Sequence, residues 1–555
     1  MNGSIKSFCS ICILFLCTNL FAQRNITDSV APGKQIDILK ADRYNAVKID
    51  SVTTLVSLGG NVLVRQDKTL FYADSIVING VQNMLEAFGN VHINDADSVH
   101  TYAQYLEYLG KEKKAFLKKK VKLTDGKAIL TTDDLEYNVT LKIGIYRNGG
   151  KVVDKKTVLT SREGYYYGDT KDVVFKQKVK LVDPEYTINT DTLQYNTSTD
   201  IATFTCPSTI LNEKRTITTK DGWIDVKNKK GVLRQRSLID DSTYTFTADD
   251  MAFDDSTGLS EFSGNAVYRG KDTAEGYDLI ANNIKTNKKK SAFLATQKPL
   301  LLIKQGKDSI YVTADTLYSA KLSELIKTRK VPTVRDSSMQ QKDSSLHRTI
   351  IKIKSEKENQ DSSNDKFIEA FYHVRIFSDS LQAVCDSLFY SLGDSVFRMF
   401  KEPVAWSQSN QISGDTLYLF LANKKPERMF VYENAMAINK ADSSADYYNQ
   451  LKGNSINALF VDGQINFMRA KGNAENVYYG LDDFKHFTGV NKSEAEMIDI
   501  SFEDNKPQKV VFRNNLTGNA YPMRQVNHED LKLRNFKWQE DRRPKSKFQM
   551  LVNDY

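Results

Sequence analysis

The feature that most restricts what this chain can fold into is a period of 29 residues between about Ala103 and Val267. Tyr108, Tyr137, Tyr166, Tyr195, Ile224 and Phe253 stand one step apart, and all are aromatic or aliphatic. A second column at the same step reads Leu117, Tyr146, Phe175, Phe204, Leu233 and Phe262. A third, of small residues, reads Thr132, Ser161, Thr190, Thr219 and Ala248. Self-similarity at a fixed step marks a fold built by stacking one supersecondary unit on itself.

The unit holds two strands and two connections. Thr190-Asp-Thr-Leu-Gln-Tyr195 alternates with Leu193 and Tyr195 on one face, Asn196-Thr-Ser-Thr-Asp200 has turn chemistry, and Ile201-Ala-Thr-Phe-Thr205 alternates again. Val173, Phe175, Val179 and Leu181 share a face, against Lys176, Lys178 and Lys180. Ala115, Leu117, Val121 and Leu123 repeat that parity against Lys118, Lys120 and Lys122. One inward column is polar (Lys119, Asn148, Gln177, Cys206, Gln235), which reads as either a bulge or a wet spot. The fold class expected is therefore all-β, repetitive and antiparallel.

Along the 555 residues, Met1 to Ala22 reads as a secretory signal: one charge, Lys6, then an apolar core from Phe8 to Leu16 too short to span a bilayer. A lipoprotein signal ending at Cys17 is the rival, against which Phe15 and Leu16 are bulky where small residues are needed. Residues 23–52 are polar and expected to be a loose lead-in. A first β domain is expected over 53–325, a charged Ser/Gln-rich linker or solvent loop over 326–366, a second β-repeat domain over 367–525 and a basic tail over 526–555. A basic run of that size is usually solvated, with membrane or anionic-lipid contact the sharper alternative. The step loosens to 33 residues after Ala248, at Ala281 and Ala314. Of the five cysteines, only Cys206 and Cys385 follow the signal, and two separate buried thiols are expected rather than a bridge.

Two short motifs recur. Asp-x-Leu-x-(Tyr/Phe) or a close variant starts at Asp133, Asp191, Asp249, Asp315, Asp386 and Asp415. Gly-Asn-(Ala/Val) stands at Gly60, Gly89, Gly264, Gly472 and Gly518, and reads as a turn leading into a strand. The Asp column alternates with Gln104, Arg162 and Lys220, so bonding at strand starts explains it better than calcium. No His-x-x-x-His, Gly-x-Ser-x-Gly or phosphate loop is present, and the six histidines are scattered. No metal or cofactor is therefore expected. A net charge of +8 is mild and does not call for nucleic acid. The lysines from Lys111 to Lys122 read first as a solvated strand face, with lipid phosphates as the alternative.

The ordered recurrence of these motifs, best seen in Asp191-Thr-Leu-Gln-Tyr-Asn-Thr-Ser-Thr-Asp-Ile-Ala-Thr-Phe204, resembles the OstA/LptA-like proteins of lipopolysaccharide transport. The resemblance covers Leu55 to Tyr318 well and Phe367 to Tyr521 more weakly. It implies a twisted antiparallel β-jellyroll with an apolar groove for lipid acyl chains and no catalysis. It also implies a periplasmic or outer-membrane-associated location, lipopolysaccharide or a related glycolipid as ligand, and end-strand pairing with like domains of other transport proteins or of further copies. The chain is much longer than a single-jellyroll bridge protein, and it lacks the C-terminal barrel of the outer-membrane member. Under this reading Tyr108, Leu117, Leu135, Tyr137, Phe175, Leu193, Tyr195, Phe204, Phe253 and Phe262 line the groove; plain core packing is the alternative for each. A dry repeat scaffold and a polysaccharide-acting β-helix stand as the rival functions.

Overall fold

In the computed structural model the described residues are 36–332 and 365–550, apart from 67, 96–98, 125, 127, 213, 273–275, 305–308, 424, 443–444 and 504–505. The expected signal segment, the first part of the expected lead-in and residues 333–364 of the expected linker lie outside them. Nearly all regular structure is antiparallel strand; the one α-helix of the described residues is Leu322–Thr328. Contacts divide the chain into two compact units, one ending at Thr140 and one beginning at Leu141.

The first unit is a meander of six long strands, Thr54–Gln66, Thr69–Asn79, Met84–Asp95, Val99–Leu109, Lys114–Thr124 and Ala128–Asn138, each paired with the next. Every strand bends at its middle, and two devices alternate. In Thr54–Gln66 the residues Gly60 and Asn61 both take positive φ and oppose a single residue, Asp74, between the pairs Gly59–Ser75 and Val62–Ala73. This bulge sharpens the strand's bend. Inward side chains therefore step by four across such a bend (Leu58 to Val62, Ala87 to Val91, Leu117 to Val121) and by three across the facing one (Ala73 to Ile76, Ala103 to Leu106). The bent halves face each other and enclose a core running from Leu58 to Leu135. Phe71 on one half meets Tyr108 on the other at 5.6 Å between ring centroids.

The lead-in differs from expectation. Asp37–Lys40 and Arg43–Lys48 are strands that pair along the first long strand. They are exposed throughout, so polar composition reflects an edge, not a lack of structure.

The second unit repeats the plan. In its first part the bends break strands in two, as in Ser208–Asn212 following Ile201–Phe204; further on they run through again, up to Gln464–Leu481. Ile310–Thr313 and Thr316–Lys321 both pair with Lys366–Phe377, so the chain leaves and rejoins one ladder across the 326–366 insertion. The last strands, Lys506–Arg513 and Thr517–Tyr521, pair with Phe487–Glu503. The basic run after them is not simply solvated: Leu531, Leu533 and Met550 are buried. Cys206 and Cys385 are both free. The architecture is thus the twisted antiparallel β-jellyroll.

Candidate functional site: the jellyroll interior

The two recurring motifs are halves of one corner. Asn61 donates its side-chain amide to Asp42 at 3.0 Å, Asn90 to Asp74 at 3.0 Å, Asn265 to Asp249 at 3.1 Å and Asn434 to Asp415 at 3.0 Å. Asn514 and Asn515 do the same to Glu496, each at 2.9 Å. At these corners a carboxylate satisfies the bulge on the neighbouring strand, and Asp249 and Asp415 of the recurring Asp motif do so. Gly-Asn is a bend inside a strand, not a turn into one, and the last instance, Gly518-Asn519, lies within a strand with no corner at all. For three positions of the polar inward column the bulge reading holds, since Lys119, Gln177 and Gln235 sit at φ 65°, 62° and 59°, whereas Asn148 and Cys206 do not take positive φ.

Corners close one side of each jellyroll, and the hairpin ends form the other. Each unit's interior holds a cavity. In the first unit a cavity of about 220 Å³ lies among Phe71, Ile93, Tyr108, Leu117, Leu123 and Tyr137. In the second unit a larger one, of about 570 Å³, opens between hairpin ends. Its walls are Tyr244, Phe246, Tyr268, Tyr277, Leu279, Ile284, Phe293, Leu301, Ile303, Ile368, Tyr390 and Phe397, and its rim carries Asn287, Lys288, Ser291 and Lys366. Tyr244, Tyr268 and Tyr277 stack in a row, 5.2 Å from ring to ring. Burial raises the hydroxyls of all three above the ordinary tyrosine value. Below pH 10 the wall is uncharged and suits an apolar occupant. Among the described residues no ion pair of Lys288 or Lys366 with a carboxylate is present.

Of the residues expected to line a groove, Tyr108, Leu117 and Tyr137 reach the smaller cavity. Leu135 is buried in the same core. Phe175, Leu193 and Phe204 pack together in a separate core cluster with Tyr195 at its margin, and line neither cavity. The Tyr195 hydroxyl donates to Asp200 at 2.9 Å. Phe253 packs against the main core. Phe262 stacks on Phe246, a wall residue, with centroids 3.7 Å apart. The larger cavity's own wall escaped the column argument because it lies where the step lengthens from 29 to 33, after Ala248. That change of step was the available signal.

Other chemistry is sparse. His92 and His100 approach to 3.1 Å on adjacent strands, and burial together with His100 holds His92 below the usual imidazole range. Among the described residues no group of three or more His, Cys, Asp or Glu is placed to hold a metal ion. No helix among them is long and apolar enough to cross a membrane.

Fold and interior define a class: a stacked, corner-bent β-jellyroll with an apolar inside. Residues 34–191 match the family model described as OstA-like protein. No curated protein matches the chain. A similar solved structure is that of LptH, the LptA homologous periplasmic component of the conserved lipopolysaccharide transport device from Pseudomonas aeruginosa. It is 14% identical, the alignment covers 20% of this chain and 82% of that one, and the TM-score is 0.18.

Proposed function

We propose that the protein is a lipid-binding component of lipopolysaccharide transport or outer-membrane assembly, acting outside the cytoplasm by binding and not by catalysis. The observation that carries this is the 570 Å³ cavity of the second unit, walled by aromatic and aliphatic side chains and rimmed by Lys288 and Lys366. Ligand pockets commonly enclose about 300–1,000 Å³ with few polar groups. An acyl chain gains about 25 cal/mol per Å² of apolar surface removed from water. The two lysines fit the phosphates or carboxylates of a glycolipid head. The outer side of Arg43–Lys48, without a strand partner among the described residues, suits strand addition by a like domain, from a partner or a second copy.

The test is photo-crosslinking in cells. A photoreactive residue at Ile303 or Tyr277 is expected to capture glycolipid, and one at Lys178, on an exposed strand face, to capture far less. Mass spectrometry of an organic extract of the purified protein identifies the lipid. Absence of lipid at Ile303 and Tyr277 in a folded protein would leave the dry scaffold, the second reading. That reading draws on the close packing of Phe175, Leu193 and Phe204.

A further inference from the structure

Beyond the last strand, residues 522–550 run across the outer face of the second unit without joining its ladder. Three buried glutamines on that face meet them. Gln450 accepts the backbone N–H of Leu533 at 2.8 Å. Gln411 reads the backbone at two points, donating to the carbonyl of Lys537 and accepting from the N–H of Gln539, both at 2.7 Å. Gln382 accepts from Nε and Nη2 of Arg543 at 2.9 and 2.6 Å, while Arg543 Nη1 reaches the carbonyl of Gln408 at 2.9 Å. The three side chains belong to the strands Tyr448–Val461, Asn410–Ser413 and Gln382–Ser391. Gln382 and Gln411 stand one 29-residue step apart.

A buried carboxamide is costly unless bonded on both sides. Gln411 is fully buried, and the open stretch 536–539 laid across it supplies its donor and acceptor together. The floor between the glutamines is apolar. Leu531 and Leu533 sit among Met436, Ile438, Val477, Tyr479 and Val490. Phe536 and Trp538 lie against Tyr448, with centroids 5.3 and 5.4 Å away. At the far end Met550 packs on Leu300 and Phe377. Met436 and Ile438 point to this floor, whereas their neighbours Ala435 and Ala437 belong to the interior core. These strands are thus apolar on both faces, and the outer one receives two apolar pairs, Leu531 with Leu533 and Phe536 with Trp538, separated by a turn.

We propose that this outer face is a docking groove for a peptide that follows it in short open stretches broken by single turns, occupied in cis by the chain's own residues 522–550, and that a free peptide of the same pattern displaces them. The anchors are side-chain amides and separate apolar seats, not a continuous ladder, so the segment is releasable in steps. Covalent attachment keeps it seated through a high effective concentration.

The experiment uses the full chain with a protease site inserted between Tyr521 and Pro522. After cleavage of the folded protein, a fluorescent synthetic peptide of residues 522–550 is added and the mixture is passed over gel filtration. The cut segment is expected to stay with the body and then to exchange for the labelled peptide. A Leu533→Asp peptide should not compete. Gln411→Ala in the body should weaken peptide retention ~10-fold, as two hydrogen bonds to backbone are lost. Retention of the cut segment with no entry of labelled peptide overturns the proposal, and makes the segment a fixed structural brace. Immediate loss of the segment with no peptide binding overturns it as well. The Leu533→Asp peptide leaves the body unaltered, so a folding defect in Gln411→Ala does not blur the result.

Discussion

At the residue scale the corner explains why two unlike motifs travel together. Gly264 has φ +74°, and a Cβ built there would lie 2.6 Å from Asp249 Oδ2. Gly264→Ala is therefore expected to lower stability by ~1–3 kcal/mol in urea denaturation, through αL strain and crowding. Asp249→Ala removes the acceptor of Asn265 (3.1 Å) and Arg236 (3.2 Å) and is expected to cost about 1 kcal/mol. Buried tyrosines set a second residue-scale outcome. Burial pushes Tyr146 up to about 12, partly offset by its hydrogen bond with Ser161. Tyr186 and Tyr479 are likewise raised to about 12, chiefly by burial. A folded-state pKa above the unfolded value of about 10 means the folded protein holds the proton more tightly. The stability this contributes is complete below pH 10 and lost as pH rises through 12. Thermal midpoints should therefore be insensitive to tyrosine ionisation up to pH 10 and fall above it, in step with phenolate absorbance.

At the element scale the same column does two different jobs. Phe204 is fully buried in its own cluster, away from both cavities. Phe204→Ala should cost about 3–5 kcal/mol, yet leave the lipid carried per folded molecule unchanged. Ile303→Asp should abolish lipid carry-over, because it places a carboxylate in the wall of the larger cavity. Comparing the extracts of the two variants separates core from groove. Strand parity was legible from alternation alone, since Val173, Phe175, Val179 and Leu181 against three lysines leave one arrangement. The bends were only half legible. Gly60-Asn61 and Gly264-Asn265 announce left-handed backbone, whereas Lys119-Lys120 and Gln177-Lys178 adopt the same conformation with nothing in their chemistry to signal it. There the neighbouring strands' register imposes the conformation on residues with no local preference for it.

At the scale of the whole molecule, strand edges are the exposed resource. Arg43–Lys48 presents Tyr44 at 63% and Val47 at 44% exposure beside backbone that has no strand partner on its outer side among the described residues. Tyr44→Lys together with Val47→Lys should reduce end-to-end association in sedimentation velocity. Its thermal midpoint should stay near that of the parent, since solvent-facing changes commonly stay within about 0.5 kcal/mol. Unchanged association in the double variant would rule out this edge as the pairing surface. In the second unit, Lys506, Pro507, Lys509 and Arg513 stand on the strand Lys506–Arg513, a composition that blunts an edge.

The repeat of 29 residues by itself determined an all-β stacked fold, its inward faces and its OstA-like resemblance, because periodicity and parity are local properties that survive any arrangement of the rungs. Tertiary structure decided three things. It placed the cavity where the step lengthens, since a void depends on how far two sheets separate and not on which residues alternate. It joined the strands on either side of the 326–366 insertion into one ladder, a pairing between segments that composition sets apart. It also seated the basic C-terminal run on Gln382, Gln411 and Gln450, because the amides that receive it lie 83 to 161 residues away and act only once the sheet brings them into line.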